Sequence, residues 1–149
     1  MSIVSRETVR LQAQARDKQD AIRQAGELLV QGGCVEPPYV HGMLAREQTM
    51  STYLGNGVSI PHGQHEDLAL VRRTGISVLQ LPAGVEWEPG ELAYLVIGIA
   101  ATSNEHVGVL ANLAEVIEDP EAAERFAHTT DPMLIVERLN RTYVEDATR

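Results

Sequence analysis

Hydrophobic and polar residues follow two different periods along this chain. In five segments the apolar residues recur three or four positions apart, which is the spacing of one face of an α-helix. Each segment opens with a residue that commonly caps or starts a helix. The five predicted helices start at Asp17, Glu36, Ser103, Asp119 and Asp131. The first of them is predicted to end at Gly32-Gly33.

Strand patterns lie before and between these helices. Gly75–Leu81 alternates between apolar and polar residues and is predicted to stop at the turn Pro82–Gly84. Leu92–Ala100 is almost entirely apolar, as expected of a central strand that is covered on both faces. Thr8–Leu11 alternates as an edge strand would. The predicted fold class is therefore α/β: a single domain over residues 1–149, with a small mixed β-sheet flanked by helices on both faces.

Composition narrows the classes of function. The formal net charge is -9 and no cluster of Lys and Arg is visible, so nucleic acid is not an expected ligand. The single cysteine, Cys34, excludes an internal disulfide, fits a reducing compartment and is expected to be buried. The start of the chain does not resemble a secretory signal, and the longest apolar run is about ten residues, too short to span a bilayer. A cytoplasmic protein without membrane insertion is predicted.

The segment Arg46–His65 holds the densest candidate chemistry. A charged helix end leads into the turn Gly55–Gly57, and the short apolar run Val58–Ile60 then delivers Pro61-His62-Gly63. A histidine between proline and glycine, just after a strand, is held by a restricted backbone and remains open to approach. Because imidazole is a neutral nucleophile near pH 7, His62 is the first candidate for a reactive residue.

Four further candidates depend on where the fold puts them. His106 lies near the third position of the helix begun by Ser103, where an anion is favoured, but it is also compatible with a half-exposed surface residue. Arg46 would suit a phosphate, or simply an acidic neighbour on its helix. His65 and Asp67 lie close enough to His62 in sequence to suggest a metal site.

The two remaining histidines carry less information. His41 is expected along a helix surface, and His128 at a helix end, where it would complement the dipole. Neither a phosphate-binding loop with a following lysine nor a serine nucleophile elbow occurs in the sequence.

Two blocks of residues together resemble a known family. Arg46-Glu47 followed by Thr52–Gly63 resembles the active-site block of the EIIA domains of the phosphotransferase system, mannitol/fructose class. Leu95–Ala100, continuing through Asn104-Glu105-His106 to Leu113, is similar to the second half of these domains. Gly32–Pro37 and Phe126–Thr130 are similar to the mannitol branch in particular. The resemblance covers nearly the whole chain, apart from the first 16 residues, which show no clear match.

This resemblance implies a fold, a reaction and partners. The family fold is a mixed sheet flanked by helices, in agreement with the pattern above. His62 would be the phosphorylated residue, with Arg46 and His106 lining the same pocket and stabilising the phosphoryl group. A phosphotransferase of this kind accepts phosphate from phospho-HPr and passes it to a cysteine of the EIIB domain of a mannitol-type permease, for uptake of mannitol or a related polyol. It uses no cofactor and no metal.

Two alternatives remain beside the carrier. Since no EIIB or EIIC segment is attached, a free-standing EIIA is expected, and such a domain can also be a regulatory module of the nitrogen-regulatory type. Its phosphorylation state would then control partner proteins without onward transfer to a sugar. The second alternative is a metal-dependent hydrolase that uses His62, His65 and Asp67.

Overall fold

A five-stranded mixed sheet forms the centre of the fold. The computed structural model describes the backbone of residues 3–102 and 106–147, and the side chains of residues 3–102 and 108–140. The strands are β1 (Val9–Arg10), β2 (Tyr53–Gly55), β3 (Val58–Ser59), β4 (Gly75–Glu88) and β5 (Glu91–Ala100). Their order is β1-β4-β5-β3-β2. The pairs β4–β5 and β2–β3 are antiparallel, whereas β1–β4 and β3–β5 are parallel.

Five helices begin close to the predicted starts. They are α1 (Lys18–Gln31), α2 (Tyr39–Thr49), α3 (His106–Ile117), α4 (Pro120–His128) and α5 (Pro132–Ala147). The Asp17 side chain accepts the N–H of Asp20 at 2.8 Å, and Asp119 accepts that of Glu121 at 3.1 Å, so both predicted caps are confirmed. The predicted cap Ser103 lies outside the described residues. None of the helices in the described part of the chain is long and apolar enough to cross a bilayer.

Apolar side chains bury both faces of the sheet. On one face, Val78 and Ile97 pack in a cluster with residues of α3, α4 and α5. On the other face, Leu79 and Val96 pack with residues of α1 and α2. Neighbouring residues of a strand point to opposite faces, which is why β5 is apolar at nearly every position. The predicted fold class, the central strand and the edge strand near residue 9 are confirmed.

The predicted end of the fourth strand is wrong. β4 does not stop at Pro82 but continues to Glu88, and its register against β5 shifts between Gln80 and Val85. Pro82 and Gly84 lie within this irregular part of the strand. It can hold a proline, which has no N–H to donate, and a glycine with a φ of 77°. β2 is a second departure, because no strand was expected before the Gly55–Gly57 turn.

Candidate functional site

His62 lies directly after β3, beside the carboxyl end of the central strand. It forms an isolated parallel bridge with Ile99, and the N–H of Ile99 donates to the Pro61 carbonyl at 3.0 Å. The side chain of His62 is half-buried. The central strand of the sheet therefore holds the backbone of the histidine loop.

A hydrogen bond to the backbone favours one tautomer of the neutral His62 ring. The Nδ1 atom lies 2.8 Å from the carbonyl oxygen of Ile60. A carbonyl oxygen only accepts, so Nδ1 carries the hydrogen in this contact. A neutral imidazole that donates from Nδ1 has its lone pair on Nε2. In this tautomer the ring nitrogen with nucleophilic character is Nε2.

Ile60 is in turn held by a chain of hydrogen bonds. Its N–H donates to the Thr52 carbonyl at 3.0 Å. The N–H of Thr52 donates to the carboxylate of Glu47, at 3.1 Å to Oε2, and the Thr52 hydroxyl donates to Oε1. A continuous path thus leads from the Glu47 carboxylate to the carbonyl that orients His62.

Glu47 is a buried charge with several partners. Its residue exposure is 6%. Besides Thr52, its carboxylate accepts from Trp87 Nε1 at 3.0 Å and from the Lys18 ammonium at 3.4 Å. The sequence places Glu47 at a charged helix end and in the block that resembles the family's active-site block, but it does not show that this carboxylate is a buried hydrogen-bond acceptor. The available signal was its position in the last turn of α2, where the helix dipole disfavours a carboxylate unless partners compensate.

The residue after the histidine is held by Tyr39. The Tyr39 hydroxyl accepts the N–H of Gly63 at 2.9 Å and donates to the Ile99 carbonyl at 2.9 Å. A Cβ on Gly63 would lie 2.6 Å from the tyrosine ring, so only glycine fits. Burial raises the pKa of Tyr39 to about 12, and the hydroxyl therefore keeps its proton near neutral pH. No local motif in the sequence indicates this role of the Tyr39 hydroxyl.

Arg46 occupies the last turn of α2, one residue before Glu47. Its Nη1 donates to the Met50 carbonyl at 2.8 Å, which caps the carboxyl end of its own helix. This bond uses one of the five N–H donors of a guanidinium. Arg46 is connected to the histidine loop through its neighbour on α2. That neighbour, Glu47, is the first residue of the hydrogen-bond path to Ile60.

His106 is the first residue of α3, the helix that follows β5. β5 ends at Ala100, beside the histidine loop, so α3 starts after the same end of the sheet. The side chain of His106 lies outside the described residues, as do Asn104 and Glu105. Its predicted place in the pocket stays a prediction.

A family model for the "Phosphoenolpyruvate-dependent sugar phosphotransferase system, EIIA 2" matches residues 2–142. The chain belongs to this family. The match includes most of the first 16 residues, for which the motifs had suggested no counterpart.

Relatives of known structure or name agree with this assignment. The mannitol-specific phosphotransferase enzyme IIA component of Bacillus subtilis is 39% identical over 84% of this chain and 87% of that protein. A multiphosphoryl transfer protein of Xanthomonas campestris is 53% identical over 91% of the chain, which spans only 16% of that relative. The fold is similar to that in the complex of enzyme IIAMTL and phosphorylated enzyme IIBMTL from Escherichia coli, with a TM-score of 0.85, 44% identity and 91% and 95% of the two chains covered.

The other histidines lie on the surface. His41 is exposed on α2 and His128 is exposed at the end of α4, as predicted for both. His65 is exposed at the start of the 3-10 turn His65–Leu70. Asp67 accepts the N–H of Gln64 at 2.8 Å. Among the described residues, which include His62, His65 and Asp67, no three or more His, Cys, Asp or Glu side chains are arranged as a group that could hold a metal ion.

A separate cleft lies at the opposite end of β5. It has a volume of about 570 Å³, and Tyr53, Gly57, Leu92 and Tyr94 contribute to its wall. Neither His62 nor Arg46 lines this cleft.

Proposed function

We propose that this chain is a cytoplasmic phosphoryl carrier of a sugar phosphotransferase system, in which His62 accepts phosphate from phospho-HPr. The phosphate then passes to a cysteine of the EIIB domain of a mannitol-type permease, for uptake of mannitol or a related polyol. The observation that carries the proposal is the contact of His62 Nδ1 with the Ile60 carbonyl, which makes Nε2 the nucleophile in a chain of the EIIA family.

The reaction needs placement and charge neutralisation more than covalent help from the protein. The Nε2 lone pair attacks phosphorus, and a new N–P bond forms while the N–P bond of the phosphohistidine in HPr breaks. The Ile60 carbonyl stabilises the positive charge that the ring gains, since it accepts the Nδ1–H bond. In the second step a cysteine thiolate attacks the phosphorus and Nε2 leaves with its lone pair. Arg46 and His106 are proposed to neutralise the non-bridging oxygens.

The choice of partners rests on the relatives. The Escherichia coli complex joins a IIA protein to phosphorylated IIB, and we infer an EIIB-type acceptor for this chain from it. The Bacillus relative is named mannitol-specific, which supports a polyol as the transported sugar. The rest of the Xanthomonas relative has no counterpart here, and its further activities are not proposed for this chain.

We further propose that exposed apolar side chains in the segment before His62 form part of a docking surface for both partners. Met50 and Leu54, which are 66% and 49% exposed, lie between Arg46 and His62 in the sequence.

The experiment uses radiolabelled phosphoenolpyruvate with enzyme I and HPr. Wild-type protein is expected to take up an acid-labile, base-stable label, and His62→Ala is expected to take up none. His65→Ala is the matched control, because His65 is an exposed histidine three residues away and should leave labelling unchanged. Labelling of His62→Ala at the wild-type level would rule the proposal out.

A second step separates the carrier from the regulatory alternative. The labelled protein is mixed with a mannitol-type EIIB domain. Rapid movement of the label to EIIB supports the carrier. Retention of the label on this chain favours a regulatory module.

A further inference from the structure

Two peptide units flank the side chain of His62, and both are tied to one residue of the central strand. The Pro61–His62 unit bonds directly to Ile99, whose N–H donates to the Pro61 carbonyl at 3.0 Å. The His62–Gly63 unit bonds to Ile99 through Tyr39, whose hydroxyl accepts the Gly63 N–H and donates to the Ile99 carbonyl, each at 2.9 Å. The first unit sets the φ angle of His62 and the second sets its ψ angle.

The bridging hydroxyl is placed by a buried ring. Tyr39 is the first residue of α2, and its exposure is 3%. The ring packs so closely against Gly63 that a Cβ there would meet it at 2.6 Å. The hydroxyl therefore has little freedom to move, and water does not readily replace it. Its pKa, raised to about 12 mainly by burial, keeps the donated hydrogen in place across the physiological range.

We propose that Tyr39 is a positioning residue for the phosphoryl acceptor: by fixing the His62–Gly63 peptide unit, it holds the imidazole with Nδ1 on the Ile60 carbonyl and Nε2 towards the incoming phosphorus. The inference rests on the proposed function of His62. Tyr39 does not touch the phosphoryl group. It acts through the backbone of the nucleophile, where a small misplacement slows a reaction that depends on alignment.

The chain offers a matched control in Tyr53. Its hydroxyl also bridges a carbonyl and an N–H, donating to Leu92 and accepting from Gly57, both at 3.2 Å. This second bridge lies at the other end of β5, away from His62. Tyr39→Phe and Tyr53→Phe thus each remove a tyrosine hydroxyl that bridges a carbonyl of β5 and a backbone N–H, one near each end of the strand.

The test compares the rate of phosphoryl transfer from phospho-HPr in the two variants. Tyr39→Phe should lower kcat about 10-fold or more with little change in KM, because alignment and not docking is lost. Labelling should still reach completion at long times, unlike in His62→Ala. Tyr53→Phe should transfer at the wild-type rate. A wild-type rate in Tyr39→Phe, or an equal loss in Tyr53→Phe, would overturn the proposal.

A second readout does not depend on transfer at all. The nitrogen NMR shifts of the His62 ring report which nitrogen carries the hydrogen, and hydrogen exchange of the Gly63 amide reports the bridge. Tyr39→Phe should show a mixture of His62 tautomers and faster Gly63 exchange, whereas Tyr53→Phe should show neither. If the wild-type protein takes no label, the proposed function fails, but these spectra still decide whether Tyr39 positions His62.

A second substitution, Gly63→Ala, tests the proposal if the Tyr39→Phe protein does not fold. Gly63→Ala would push the ring away from the loop, because the new Cβ would lie 2.6 Å from it. It should give the same slow transfer and the same mixture of His62 tautomers. Transfer at the wild-type rate in a folded Gly63→Ala protein would contradict the proposal.

Discussion

At the scale of single residues, Glu47 illustrates how a charge can be kept inside the fold. A carboxylate in the last turn of a helix costs about 0.3–1 kcal/mol through the dipole. Each hydrogen bond to a charged group contributes about 1.5–3 kcal/mol, and Glu47 accepts from Thr52, Trp87 and Lys18. The network outweighs the dipole and joins α1, α2 and β4 to the segment that leads to His62.

Glu47→Gln should therefore destabilise the protein strongly. The amide replaces one acceptor oxygen by an NH2 group, which faces other donors. It also leaves Lys18 without its buried counter-charge. The free energy of unfolding should therefore fall by about 3 kcal/mol. Urea unfolding followed by far-UV circular dichroism measures the change. Glu88→Gln is the control, because Glu88 meets the same lysine at 3.6 Å but its side chain is 37% exposed. That variant should lose less than about 1 kcal/mol, and equal losses in both would refute the account.

The sequence singles out His62 as the candidate nucleophile but does not show the groups that hold its loop. Proline and glycine on either side of His62 are local signals, and one histidine in such a setting can be picked out by reading along the chain. The partners are not local: Tyr39 reaches Ile99 across 60 positions, and Trp87 reaches Glu47 across 40. Periodicity reports which face of an element is apolar, so it can place the ring of Tyr39 in the core but gives no information on the partners of its hydroxyl.

At the scale of elements, α2 approaches the turn after His62 at Gly42. A Cβ on Gly42 would collide with the Asp67 carboxylate, which itself accepts the Gln64 N–H at 2.8 Å and caps the 3-10 turn. The helix can come this close only because the residue has no side chain. The spacing between α2 and the histidine loop thus depends on one glycine in a helix interior.

Gly42→Ala and Gly108→Ala should change stability in opposite directions. Alanine favours a helix over glycine by about 0.5–1 kcal/mol, but at Gly42 the collision with Asp67 should reverse this and cost about 1–3 kcal/mol. Gly108, in α3, is exposed and has open space around it, so alanine there should be stabilising. Thermal unfolding should show a lower Tm for Gly42→Ala and a slightly higher Tm for Gly108→Ala. A raised Tm in both would show that Asp67 moves aside without cost.

The strand β4 shows where element prediction reaches its limit. Its first half alternates clearly and was predicted, but Pro82 and Gly84 are the usual signals of a strand end. Pairing with β5 overrides them, since the irregular register leaves the proline where no donor is needed. The length of β4 is determined by its pairing with β5, and a local sequence pattern contains no information on that pairing.

At the scale of the whole molecule, the two apolar clusters meet at one sheet. Successive residues of β4 and β5 belong alternately to one cluster and the other. Unfolding of either cluster therefore requires these two strands to unfold as well. The histidine loop is tied to this sheet at Ile99. Groups buried on either side should therefore influence the unfolding free energy of the whole chain, including the buried hydroxyl of Tyr39.

This coupling predicts how stability depends on alkaline pH. Burial raises the pKa of Tyr39 from its ordinary value of 10.0 to about 12, so the folded protein holds this proton more tightly than the unfolded chain does. Below pH 10 the hydroxyl is protonated in both states and its contribution to stability is fully present. As the pH rises towards 12 the unfolded chain releases the proton first, and at about 1.4 kcal/mol per pK unit the folded state loses about 2 kcal/mol.

Phenylalanine has no proton to lose, so Tyr39→Phe should be free of this loss. The difference in unfolding free energy between wild type and Tyr39→Phe should be constant up to about pH 9 and should then shrink by about 2 kcal/mol towards pH 12. Burial also raises the pKa of Cys34, but that thiol is present in both proteins and cancels in the difference. Denaturant unfolding at constant ionic strength across this range gives the comparison. A difference that stays constant to pH 12 would mean that the Tyr39 hydroxyl is not held as a buried proton donor, and the bridge between Gly63 and Ile99 would lose its physical basis.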